Sequence, residues 1–271
     1  MGTLLLDGQE HKLCQKDGKS VLFGTAFYNF ISLFGCVGGR SGKASECARC
    51  ALQETCPDQG RVDECMRAVF AQAQSGASLQ SAANCRQVAE LLWSKGRYAD
   101  AERAFKFAAD AYDQVELPAY AALNYRLVAE CCACCENFVG VASAYLQAAK
   151  CHEKAGDWAQ AAEAGVGAAN AYRQTANWQL ALDESRNAAQ AFERAAKMNY
   201  DFGSKAQAFV GAAHAYHLAG SREQERCAWE HAVTNYTNSA SDHWRNGNIE
   251  LAKDAVSEAS EARERVVQLL S

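Results

Sequence analysis

The sequence predicts an all-α fold, an α-solenoid of antiparallel helix pairs, on three observations. Short turn-like strings recur from about Ser81 onward, at GRYADA (96–101), ENFVGV (136–141), GDWAQA (156–161) and ANWQLA (176–181). The segments between them are rich in alanine, as in AAEAGVGAANAY (161–172) and SRNAAQAF (185–192). Proline, which breaks helix interiors, occurs only at Pro57 and Pro118.

Each observation maps onto helix geometry. A spacing near 20 residues is one helix plus one turn, and 40 is a helical hairpin; the first two strings lie 40 apart and the later ones 20. Gly or Asn at the turn ends a helix without steric cost. The aromatic two residues on (Tyr98, Phe138, Trp158, Trp178) is placed to pack back on the preceding helix. Alanine at the crossing positions favours helix and lets helix axes approach closely. AGSREQE around Gly220 and NGNIELA around Gly247 repeat the turn less faithfully. The pattern is that of a helical-repeat solenoid. Tetratricopeptide repeats have a period of about 34 residues; the longer, irregular spacing here predicts a tetratricopeptide-like relative with longer helices. The final segment, IELAKDAVSEASEARERVVQLL, carries an apolar stripe at Ile249, Ala252, Val256, Ala259, Val266 and Leu270, interrupted by Arg263. It is expected to be a terminal helix with one packed and one wet face.

The chain divides into a Cys/Gly-rich N-terminal region, residues 1–80, and a helical-repeat domain, residues 81–271. Ten of the nineteen glycines fall in the first part, which is expected to be a shorter helical or loop region. Charges there balance, so the net −5 rests on the repeat domain and gives no electrostatic footprint for nucleic acid. Residues 20–39 contain no charge. Their length raises a membrane span, but Asn29, several hydroxyls and four glycines favour a buried or membrane-touching hairpin or loop. The opening MGTLLLDGQE lacks a basic n-region, so a cytoplasmic, reducing setting is expected for the thirteen cysteines.

Candidate chemistry is sparse. Cys47 and Cys50 form a CxxC pair, but Cys56 and Cys65 are not matched to it as a second close pair, and zinc ligation is the less favoured reading. CCACC (131–135) lies in a helical pattern that points its thiols in several directions, which favours core packing. His214 and His217 are one helical turn apart without the acid of an HExxH site. GGRSGK (38–43) lacks the spacing of a phosphate loop, and no nucleophile, base and oxyanion donor assemble. No cofactor and no enzymatic activity are expected. Of the tryptophans, packing accounts for Trp158 and Trp178, Trp229 falls at a core position, and Trp244, in the polar stretch SDHWRNGN, is the candidate partner-binding anchor.

Two resemblances give these features a context. Residues 84–155, through NCRQVAELLW, YADAERAF, LPAYAALNYRLVAECC and VASAYLQAAKCHEKAG, resemble the N-terminal repeats of the 40-kDa huntingtin-associated protein (factor VIII intron 22 protein) family. Leu117–Pro118 followed by Tyr120–Ala121–Ala122 is the most specific part; the family's proline-rich insertion is absent, and residues 1–80 do not share the likeness. That resemblance implies an adaptor for a large huntingtin-like HEAT-repeat partner in endosome or vesicle traffic. NFISLFGCVGGRSGKASECARCA (29–51) and AANAYRQTANWQLALDESRNAAQAF (168–192) are similar to the soluble NSF attachment proteins. That alternative implies binding of a SNARE complex and an NSF-type ATPase, with Phe27, Phe30, Ile31, Leu33 and Phe34 touching membrane. The end of the chain, SEARERVVQLLS, does not resemble that family's ATPase-contacting end. Both resemblances imply the same SNAP-like fold; a structural subunit of a large assembly is the third reading.

Overall fold

A computed structural model describes residues 78–270, the backbone of three strands within residues 2–22, and the isolated positions Arg67 and Ala71. The described residues belong to two units, one within 1–50 and one within 51–271.

The first unit contains an antiparallel meander, β1 (Gly2–Leu6), β2 (Gln9–Lys16) and β3 (Lys19–Leu22), with Leu6 opposite Gln9 and Lys16 opposite Lys19. These three strands depart from the helix or loop expected of this region. The signal lay in the sequence: the residues separating the strands are Asp7–Gly8 and Asp17–Gly18. Asp-Gly suits two-residue hairpin connections, because both central positions take positive φ at low cost.

The described residues of the second unit are all-α. Its described helices are α1 (Leu79–Ser94), α2 (Tyr98–Gln114), α3 (Pro118–Cys134), α4 (Phe138–Lys154), α5 (Trp158–Gln174), α6 (Trp178–Met198), α7 (Phe202–Leu218), α8 (Arg222–Arg245) and α9 (Ile249–Leu270). Each packs chiefly on its neighbours in sequence. Side chains also bridge alternate helices. Lys154 on α4 pairs with Asp113 on α2 at 2.7 Å, Arg126 on α3 donates to Gln160 on α5, and Arg173 on α5 donates to the Leu218 carbonyl on α7. Neighbour packing with alternate-helix bridges defines a tetratricopeptide-like α-solenoid.

From α1 to α6 the register is a uniform 20 residues. Positions 89, 109, 129, 149, 169 and 189 are all alanine. The preceding column, Val88, Ala108, Val128, Ala148, Ala168 and Ala188, is buried throughout. The apparent 40-residue gap in the turn strings closes at ELPAYA (116–121), where Pro118 occupies the position held by an aromatic in the other turns. Proline suits this first helical position, since its missing N–H has no intrahelical acceptor there.

One turn structure repeats along the unit. In each, a backbone N–H reaches back five residues at 2.9 Å: Arg97 to Leu92, Leu117 to Tyr112, Asn137 to Cys132, Asp157 to His152, Asn177 to Tyr172, Ser221 to Tyr216 and Asn248 to His243. This is the 6→1 bond of the Schellman motif, and it satisfies a carbonyl that the helix end leaves open. The residue before each donor has positive φ. It is glycine at 96, 156, 220 and 247, but Glu116, Glu136 and Ala176 hold the same conformation at φ of 60°, 56° and 56°. Helix entry is fixed by side chains in several repeats. Ser78 and Ser81 cap α1 reciprocally, and Asn137, Asp157 and Asp201 each accept from a backbone N–H of the following turn.

Candidate functional site

A concavity of about 530 Å³ lies between the last turns of α8 and residues 252–263 of α9. The turn Asn246–Gly247–Asn248, closed by the Asn248 N–H to His243 carbonyl bond, folds α9 back on α8. Contact between the two helices uses Ala252, Ala255, Ala259 and Ala262 of α9, all buried, with Val266 and Leu269 partly buried beyond them. This corrects the expected stripe. Ile249, Val256 and Leu270 are exposed, and the packed face is the alanine face beside them.

The groove is lined by Ala240 and Trp244 of α8 and by Ala252, Val256 and Ala259 of α9. Trp244 is 65% exposed and Val256 56%, so a large apolar surface faces solvent there. The three lining hydroxyls are already committed. Thr237 donates to the Val233 carbonyl at 2.8 Å, Ser241 to Thr237 at 3.0 Å and Ser260 to Val256 at 3.0 Å. The charged lining residues are Arg245 and Arg263, and no carboxylate lines the groove. Arg245 lies 3.6 Å from Asp242, an exposed pair of the kind that contributes little. Burial first, and then the nearby Glu258 carboxylate, push the Tyr236 pKa up to about 12.

Trp244 is thus an exposed side chain within the groove, as its polar sequence context suggested. The other tryptophans divide. Trp229 is buried beneath the His214 ring, edge-on at 5.2 Å. Trp158 carries the Arg194 guanidinium 4.9 Å above its ring. Trp178, expected to be accounted for by packing, is 60% exposed. His214 and His217 point to different partners, His214 to Trp229 and His217 to the Glu225 carboxylate at 3.1 Å, and burial lowers the His214 pKa. No cluster of three or more metal-ligating side chains is found among the described residues. Within CCACC, Cys131 and Cys132 are buried while Cys134 and Cys135 are exposed.

Phe27, Phe30, Ile31, Leu33 and Phe34, and the cysteines at 47, 50, 56 and 65, lie outside the described residues. No helix among the described residues is long and apolar enough to cross a membrane. Sequence reasoning missed Tyr200, 98% exposed between α6 and α7, and the whole α9 wall of the groove. The spacing of Trp244 and Val256 on opposite sides of a turn could have suggested their proximity, but only once α9's register was known.

No protein-family model matches the chain, and no curated protein matches it. Among solved structures, the chain is similar to BtubC (BKLC) from P. vanneervenii at 16% identity, over 89% of this chain and 92% of that one, with a TM-score of 0.37. It is similar to a putative kinesin light chain of Podosopora anserina with nearly identical TPR-like repeats, at 14% identity over 73% and 95% with a TM-score of 0.41. The apo form of RapI aligns at 13% identity over 90% and 91%, with a TM-score of 0.37. The class of the chain, a tetratricopeptide-like helical-repeat protein, rests on its own repeat geometry: one helix and one Schellman turn every 20 residues from α1 to α6.

Proposed function

We propose that the chain is a non-enzymatic scaffold that binds other proteins. The observation that carries this reading is the α8/α9 groove, where Trp244 and Val256 are exposed beside two arginines while the lining hydroxyls bond their own helix. Tryptophan and arginine are the side chains most enriched where protein interfaces concentrate binding energy. With the hydroxyls donating to their own helix, the two guanidinium groups are the directional donors left, beside the apolar surface that a protein interface buries.

The finer reading, an adaptor for a huntingtin-like HEAT-repeat protein at cytoplasmic faces of endosomes or vesicles, is supported by the resemblance of residues 84–155 alone. Affinity capture of the tagged full chain from lysate, quantified by mass spectrometry, tests both levels. Stoichiometric recovery of huntingtin supports the adaptor. Recovery of SNAREs with their ATPase replaces it with the attachment-protein reading. Turnover of a small-molecule substrate by the purified chain, with no protein captured, overturns the scaffold itself.

A further inference from the structure

Resting on the scaffold reading, we infer that the α8/α9 groove receives one amphipathic helix of a partner protein, apolar on its buried face and flanked by acidic side chains. The dimensions suit a helix. The lining runs from Thr237 to Arg245 on α8 and from Ala252 to Arg263 on α9, about 12 and 17 Å at 1.5 Å per residue, which is two to three helical turns. The floor is made of small side chains, so a visiting helix can approach as closely as the helices of the repeat approach one another.

The chemistry selects the occupant's face and charge. Trp244 and Val256 form opposite walls that gain by burial, and committed hydroxyls between them do not penalise an apolar face by losing water. Arg245 and Arg263 stand in the lining with no carboxylate among the lining residues; Arg245 has Asp242 at 3.6 Å as an exposed partner, so Arg263 supplies the stronger claim on an acidic group. Complementary charge at a rim fixes orientation and speeds encounter. Guanidinium groups pair bidentately with carboxylates, which places Asp or Glu on the partner helix about one turn either side of its apolar stripe.

The experiment is selection of a displayed library of short helix-forming peptides against the full chain, with enriched peptides remeasured by fluorescence polarisation. Expected peptides carry apolar residues at i, i+3 or i+4, and i+7 with flanking Asp or Glu, and gain helicity on binding. Trp244→Ala and Arg263→Glu weaken them at least about tenfold, and Arg263→Lys restores part of the loss. Both positions are exposed, so circular dichroism melts of the variants are expected to match the parent. The inference is overturned if no enriched peptide depends on Trp244 or Arg263, if the enriched peptides are basic or bind without forming helix, or if those substitutions instead abolish self-association or binding to phosphatidylserine vesicles. A W244A/R263E chain that still captures its partner from lysate sinks this inference while leaving the scaffold reading standing.

Discussion

The imidazole of His152 is buried at the end of α4 with Nδ1 4.0 Å from the carboxylate of Asp157, which caps the next helix, and neither ring nitrogen has a hydrogen-bond partner. Burial lowers the His152 pKa, and the attraction of Asp157 opposes the shift without reversing it. His214 is shifted in the same direction by partial desolvation, but it is an exposed residue and solvent screening reduces its contribution. A histidine whose folded pKa lies below its unfolded value binds more protons when unfolded. Stability is therefore full above the usual histidine range near 6.5 and is lost as pH falls through it, by at most about 1.4 kcal/mol per pH unit for His152. The melting temperature is expected to fall between pH 7 and pH 5, and His152→Gln to flatten that slope. A slope unchanged in the variant would show that His152 titrates alike in both states.

The left-handed turn residues predict a gain. Glu116, Glu136 and Ala176 occupy the conformation that glycine holds at the other turns. An L-residue there costs about 1–2 kcal/mol, offset in part by the greater unfolded-state entropy of glycine. Glu136→Gly and Ala176→Gly are each expected to stabilise by about 0.5–1 kcal/mol in urea unfolding. Gly156→Ala, with φ of 77° and nothing within 4 Å of the added Cβ, is expected to destabilise by about 1 kcal/mol through backbone strain alone.

These turns also show how far the fold could be read from residues. Aromatic-marked strings revealed four turns, but the one at Glu116 has Pro118 in place of the aromatic, so a uniform 20-residue register read as irregular. The face of α9 was misassigned for a related reason. Hydrophobicity ranks Ile249 and Val256 above alanine, yet helices that approach this closely make contact through alanine, which leaves the larger side chains outside. Trp178 and Trp158 share a turn position and differ in environment, which only the neighbouring helices decide. The exposure of Trp244 was legible because its flanking residues are polar; the wall opposite it was not, because it belongs to another helix.

The alanine column predicts intolerance to volume. Ala109 and Ala129 are almost wholly buried where adjacent helices cross. Ala129→Leu adds three carbons that fit only if helices separate, at a cost of about 1–3 kcal/mol. At the exposed position Leu123 on the same helix, Leu123→Ala is expected to change stability by less than about 0.5 kcal/mol. Comparable melting points for the two variants would mean that the column is not close-packed.

Cysteine reactivity should follow the same burial pattern. Cys85, Cys131, Cys132 and Cys151 are buried, and burial is the largest cause raising their thiol pKa values, to about 11, 12, 12 and 11. Since the thiolate is the attacking species, these four thiols are expected to resist alkylation at neutral pH in the folded chain. Cys134, Cys135 and Cys227 are exposed and are expected to modify first among the described cysteines. Timed iodoacetamide labelling with peptide mapping separates the two sets, and urea should merge their rates. The sharpest comparison lies within CCACC, where one helical turn divides protected Cys131 and Cys132 from accessible Cys134 and Cys135. Equal labelling along that run would mean that the α3 end frays in solution, opening the bond from the Asn137 N–H to the Cys132 carbonyl that closes this turn.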